Sequence, residues 1–252
     1  MKKISHAFFY AIQFLTRLPL PAINYVEHSA SRSVLFFPVV GFLIGLLFYL
    51  EASIFAVLNP LLLAALILFS WVWITGNLHL DGLADCADAL VGGHGNRQKI
   101  LKIMHDPVAG PAAVSAVVCS LLLKFVAIYS LLKQSDYVFY LVIIPMMART
   151  LVLAWMNSCD YVREQGIASD FLAHYSRPLA WQLIILLAFL LLGFNFSIGL
   201  LLIVAAVLLF YVYRTFWLKR IGGISGDVLG AGIEISEVVL LLVLVVFLET
   251  TY

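Results

Sequence analysis

Apolar residues run along the chain in long uncharged blocks separated by short polar connections. Blocks at 34–58, 111–132, 137–157, 178–194 and 197–217 approach or exceed the roughly 20 helical residues that a bilayer core requires. Two further blocks, 61–75 and 238–249, are short. The polar helices beside them, 76–90 and 227–237, are expected to extend them, which carries acidic residues to the membrane surface or just inside it. The first residues, MKKISHAFFYAIQFLTRLPLP, have an apolar stretch broken by Gln13 and Arg17 and no small-residue cleavage site, unlike a signal peptide. They predict an amphipathic interfacial helix over 1–18, stopped by Pro19 and Pro21. With no internal repeat, low-complexity tract or linker, the expectation is a single helical membrane domain over 1–252. It is all-α, a polytopic bundle of about seven spans, with short motif-bearing helices on one side.

Composition strengthens that picture. Hydrophobic residues make up 63% of the 252 and charged residues 12%, whereas a soluble domain is nearer half apolar and a quarter charged. The net charge of +1 argues against a nucleic-acid partner. Cys86, Cys119 and Cys159 are odd in number and widely spaced, so they suggest neither a disulfide framework nor a zinc pair. Charge does set orientation. Lys2, Lys3, Arg17, Arg32, Arg97, Lys99, Lys102, Arg149, Arg163, Arg177, Arg214, Lys219 and Arg220, thirteen of fifteen cationic residues, fall on one side of the predicted spans. The positive-inside rule makes that side cytoplasmic, and with it the N-terminus and every polar cluster. A bacterial cytoplasmic (inner) membrane is the expected location.

Two constellations stand out. In NLHLDGLADCADAL, residues 77–90, Asp81, Asp85 and Asp88 are spaced i, i+4, i+7 and share one helical face. Three carboxylates that close repel one another and are costly near a bilayer. A hard divalent cation such as Mg²⁺, held by one or two carboxylates together with substrate phosphates, offsets them best; the bland alternative is a solvated helix end. His79 and His94 stand beside this cluster and could extend the site, His79 as a phosphate-binding residue, although two positions before Asp81 its side chain diverges from that face on a regular helix. In RIGGISGDVLGAGIEISE, residues 220–237, Asp227 and Glu234 again share a face, with Glu237 one turn on. The glycines before the acids, Gly226 among them, suit presentation of backbone N–H groups to phosphate, or simply close helix packing. Gly41 and Gly45 in the first span read as packing alone.

Arg17, Arg32, Lys124, Arg149 and Arg163 are single cations suited to a phosphate substrate. Lys124 lies in mid-span, where a cation needs a partner or a wet cavity; an aspartate of the first cluster and a phosphate are the two candidates. The loop IMHDPVAGP, 103–111, offers Asp106 as an N-cap or a further metal ligand.

FLTRLPLP, SRSVLFFPVVG, LHLDGLADCADAL, YVREQG and GGISGDVLGAGIEISE occur in an order that resembles the adenosylcobinamide-GDP ribazoletransferase family, the cobalamin synthases. The resemblance spans nearly the whole chain. Two departures are Asn77, where the family pattern has Gly, and HDPVAGP, which lacks an Arg after Asp106. The resemblance implies a magnesium-dependent reaction of adenosylcobinamide-GDP with α-ribazole or its 5′-phosphate. The ribose 3′-hydroxyl attacks the phosphorus on the corrinoid arm and GMP leaves. It also suggests roles. Asp81, Asp85 and Asp88 would hold Mg²⁺ on the diphosphate, and Asp227 and Glu234 would complete the metal site or take the hydroxyl proton. Arg17, Arg32 and Lys124 would neutralise phosphate oxygens.

Other classes share part of the pattern. Asn77, Asp81 and Asp85 fit the first metal motif of intramembrane prenyltransferases, but the second Asp-rich motif is missing. CDP-alcohol phosphotransferases share the Asp–Gly–Ala flavour without the downstream aspartates. An ion-coupled transporter would use intramembrane carboxylates and a lysine, yet the acids gather towards one face rather than along a path. Glycine-bearing spans suit a homodimer or higher homo-oligomer.

Overall fold

The computed structural model describes residues 2–20, 31–162, 171 and 175–251. The helices are α1 (Lys2–Leu15), α2 (Phe37–Ile54, entered through a 3₁₀ turn at Val34–Phe36), α3 (Pro60–Thr75), α4 (Leu78–Gly93) and α5 (Arg97–Ile103). They continue with α6 (Pro111–Leu132), α7 (Tyr140–Ser158), α8 (Arg177–Phe194), α9 (Phe196–Ile221) and α10 (Gly226–Thr251). Among the described residues there is no strand, only a two-residue bridge between Tyr161 and Ile224. Among the described residues six helical segments are long and apolar enough to cross a membrane, and a bent pair makes a seventh if counted as one. The protein is an all-α polytopic membrane bundle.

Helix starts follow local chemistry. Asn59 precedes Pro60 and its side chain accepts from the Leu61 N–H at 2.8 Å. Asn195 does the same for α9 through Ile198 at 3.0 Å. Each supplies an acceptor to a first-turn N–H that has no helical partner.

The polar and apolar pieces at the C-terminus do join into one 26-residue helix, α10. The other expected extension is corrected. Residues 76–90 do not prolong α3; α3 and α4 meet at 85°. Gly76 and Asn77 are both left-handed, with φ of 61° and 62°, and two such residues in succession turn the chain out of the helix. Arg17 is part of this corner: its N–H donates to the Ile74 carbonyl at 2.7 Å.

At the centre is α7. Its span is 78% buried, against 11% for α8, so α7 is the core and α8 lies at the periphery of the bundle. Gly41 and Gly45 of α2 rest on it as the packing reading expected. A Cβ on Gly41 would stand 2.9 Å from the Met146 Cα, and one on Gly45 2.6 Å from the Val142 Cα. Any side chain there would push the helices apart.

Candidate functional site

The two acidic motifs meet where α4 crosses the start of α10. A Cβ on Gly82 would stand 2.6 Å from the Asp227 carbonyl oxygen and 3.2 Å from the Ala231 nitrogen. From the other side, Gly230 faces the His79 Cα and Gly82 Cα, at 3.5 and 3.7 Å from its ideal Cβ. Glycine against glycine brings the two backbones together. Asp81, His79, Gly226 and Asp227 then line one cavity of about 250 Å³, walled by Leu15, Phe37, Met156 and Tyr161. Asp81 is exposed, and Asp85 and Asp227 are half-buried. Gly226 is the first residue of α10, so the positive end of that helix opens here. The segment before it is pinned by a hydrogen bond from the Val162 N–H to the Ile224 carbonyl at 2.9 Å. That bond sets Tyr161 and Val162, the first two residues of YVREQG, beside the glycine loop.

Other predicted site residues are placed elsewhere. Asp88 shares the α4 face but turns to α6. Its carboxylate accepts from the Gly110 N–H and, at 2.9 Å, from the Ala113 N–H. It caps the start of α6, and both oxygens are engaged by backbone donors. Asp106 is neither N-cap nor part of an assembled ligand group; its carboxylate accepts from the Val108 N–H at 3.1 Å and closes the loop. His94 ends α4 with φ of 49° and its ring bonded to the Gly92 carbonyl. Arg32 lines a different cavity, of about 550 Å³, with residues of α1 and α8. Arg17 is exposed, and its side chain lies over Gly76 at the head of α4. Arg163 lies outside the described residues.

Lys124, Arg149 and Glu234 are corrected most. They form a buried ion network with Glu237, an acid to which the sequence pattern assigns no role. The Lys124 ammonium donates to Glu234 and to Glu237, each at 2.7 Å. Arg149 donates to the other oxygen of Glu237, and the Trp71 indole N–H donates to Glu237 at 3.0 Å. Trp71 also lies beneath the Lys124 ammonium, 4.8 Å from ring centroid to nitrogen. Neither cation meets an aspartate of the first cluster; two cations and two carboxylates neutralise one another inside the bundle. Nothing in the sequence around Trp71 announces its contact, 166 residues away.

Among the described residues no three or more His, Cys, Asp or Glu side chains come together as a finished metal site. Mg²⁺ needs only one or two carboxylates when substrate phosphates and water complete its octahedron. Asp81 and Asp227 on one cavity wall fit that requirement. Cys159 and Tyr175, which follow α7 in the chain, do not suit base chemistry near neutrality. Burial pushes the Cys159 thiol above its usual value, and burial pushes the Tyr175 hydroxyl up to about 12.

Comparison with known proteins bears on the chain as a whole. A protein of Acinetobacter baumannii named adenosylcobinamide-GDP ribazoletransferase is 41% identical over 241 residues, 95% of this chain and 96% of that one. Proteins of the same name from Ectopseudomonas mendocina and Pseudomonas aeruginosa are 43% and 41% identical, covering 93% and 97% of this chain and 96% and 99% of their own lengths. No solved structure matches. The family described as cobalamin-5-phosphate synthase matches residues 7–245. The chain, an integral membrane transferase with its two acidic motifs folded into one cavity, belongs to that family.

Proposed function

We propose that the protein joins adenosylcobinamide-GDP to α-ribazole or its 5′-phosphate with release of GMP, at the cavity between α4 and the start of α10. The observation that carries this reading is the glycine-on-glycine crossing that places Asp81 and Asp227 on one wall. In the reaction a bond forms between the ribose 3′-oxygen and the phosphorus on the corrinoid arm. The bond from that phosphorus to the GMP oxygen breaks, and its electrons leave with GMP. Such transfers depend on positioning and on charge stabilisation more than on covalent help from the protein.

Asp81, Asp85 and Asp227 are the residues suited to hold Mg²⁺, which when bound would neutralise diphosphate charge. Asp227 either completes the metal site or takes the proton of the attacking hydroxyl. Glu234 is committed to Lys124 and has no part in this step. Gly226 offers the N-terminal end of α10 to a phosphoryl oxygen. Arg17, folded over Gly76 at the head of α4, is an exposed cation suited to a phosphate oxygen. The apolar walls from α1, α2 and α7 exclude water, which would otherwise compete with the ribose hydroxyl. The basic connections set this face towards the cytoplasm of a bacterial inner membrane.

The test is direct. Purified protein in detergent or vesicles should release GMP from adenosylcobinamide-GDP only when both the ribazole acceptor and Mg²⁺ are present. Asp85→Asn should abolish turnover while the protein stays folded. GMP-free incubation, or an Asp85→Asn protein of near-normal activity at saturating Mg²⁺, overturns the reading.

A further inference from the structure

The buried network ends on a ring that it leaves half satisfied. Arg149 Nη2 lies 3.4 Å from His79 Nδ1. A guanidinium has only donors, so Nδ1 must accept and the ring carries its proton on Nε2. That Nε2 has no hydrogen-bond partner among the described residues, although His79 is only 2% exposed. The ring lines the cavity of Asp81 and Asp227. Buried polar groups in native proteins are nearly always paired, so one left open at a cavity wall points to a ligand.

The arrangement beneath the ring is rigid. Arg149 is tied to Glu237 and, at 3.4 Å, to the Pro145 carbonyl. Glu237 is held in turn by Lys124 at 2.7 Å and Trp71 at 3.0 Å. Five helices, α3, α4, α6, α7 and α10, therefore hold the side chain of His79 and engage its Nδ1, leaving Nε2 as the open position of a residue on the cavity wall. The charged side chains on the same wall, Asp81 and Asp227, are carboxylates that accept hydrogen bonds when ionised. They match a ligand's hydroxyls. A ring that presents only a donor matches the part of a ligand that has only acceptors.

We propose that His79 donates its Nε2–H to a phosphoryl oxygen of the ligand in this cavity, and that Arg149 is the positioning residue that sets the required tautomer. The identity of the phosphoryl compound rests on the transferase reading; the tautomer and its open donor do not. Lys124, Glu237 and Arg149 thereby serve the site without touching substrate.

Two measurements test this, both on the full chain in lipid nanodiscs. The first is nitrogen-15 NMR of labelled histidine, with the His79 signals assigned by their loss in His79→Gln. The free protein should show a protonated Nε2 and an unprotonated Nδ1, and GDP, used as a diphosphate probe, should move Nε2 while leaving Nδ1 unprotonated. The second is the kinetics of GMP release. His79→Phe, which fills the space without a donor, should lower kcat roughly 10- to 100-fold, with the KM for ribazole unchanged. His79→Gln, whose amide N–H can reach the same oxygen, should recover most of that loss. A protonated Nδ1 in the free protein, an Nε2 indifferent to GDP, or a His79→Phe enzyme with the parent's kcat overturns the proposal. If the parent releases no GMP, the transferase reading fails, and the NMR arm alone still decides His79. If His79→Phe does not fold, the comparison of His79→Gln with the parent and the same NMR arm decide it.

Discussion

Lys124→Met gives the sharpest test of how the bundle is held. The ammonium is 1% exposed and divides its donors between Glu234 and Glu237, at 2.7 Å each. Glu237 would keep Arg149 and the Trp71 indole after the change. Glu234, 2% exposed, would lose the cation that neutralises it. Breaking a buried pair by removing one partner costs about 3–5 kcal/mol, because the remaining charge is stranded. A second change, Glu234→Leu, removes that charge and leaves Arg149 matched with Glu237. The double variant should therefore regain most of the loss and stand within about 1–2 kcal/mol of the parent. Unfolding of the detergent-solubilised protein, followed by helical signal, measures both steps. GMP release from the double variant then separates structure from chemistry: retained turnover places Glu234 in the scaffold. A single variant within about 1 kcal/mol of the parent would refute the reasoning, as would a double variant no more stable than the single.

Three further outcomes are expected. Asp88→Ala should cost about 1–2 kcal/mol as the cap of α6 is lost, with faster hydrogen exchange at the Gly110 and Ala113 amides. Gly82→Leu should abolish GMP release by forcing α4 away from Asp227 and Ala231. A cysteine pair across the crossing should lose its cross-link in the same variant. At Asn77, φ 62°, Gly should be neutral in a thermal melt, while Val should cost about 1–2 kcal/mol or more, since a β-branched residue resists the left-handed region.

What could be read in advance was whatever the local pattern dictates. Block length and hydropathy located the spans, and small residues at Gly41 and Gly45 announced a close helix contact. Spacing put Asp81 and Asp85 on one face, and the structure keeps them there. The corner between α3 and α4 was half legible. Asn77 stood out as a departure from a glycine pattern, and Asn is the residue besides Gly that best tolerates positive φ. The departure thus preserves the conformation. Partners distant in the chain left no such trace. Lys124 finds Glu234 and Glu237 110 and 113 residues away, and spacing along α10 cannot tell which acid turns inward. Asp88 looked like a third member of a metal face because its sequence spacing is right. Its carboxylate is instead captured by the start of α6, where unpaired backbone N–H groups make a strong claim on an anion.

The inward turn of Glu234 and Glu237 has a consequence for the outer cluster. The two cations held within the bundle are already neutralised, so the network contributes no net charge towards Asp81 and Asp227. It acts as a keel instead, fixing α4 and α10 against each other through Arg149 and His79 on one side and Glu237 on the other. Had Lys124 reached the aspartates, as mid-span placement first suggested, their charge would have been spent within the protein. With that cation drawn away, Lys124 takes no charge from the carboxylates at the cavity, whose chemistry suits a divalent cation carried with a diphosphate. Packing beneath the site and charge at its surface are in this way set by one choice, the pairing of Lys124 with the acids of α10.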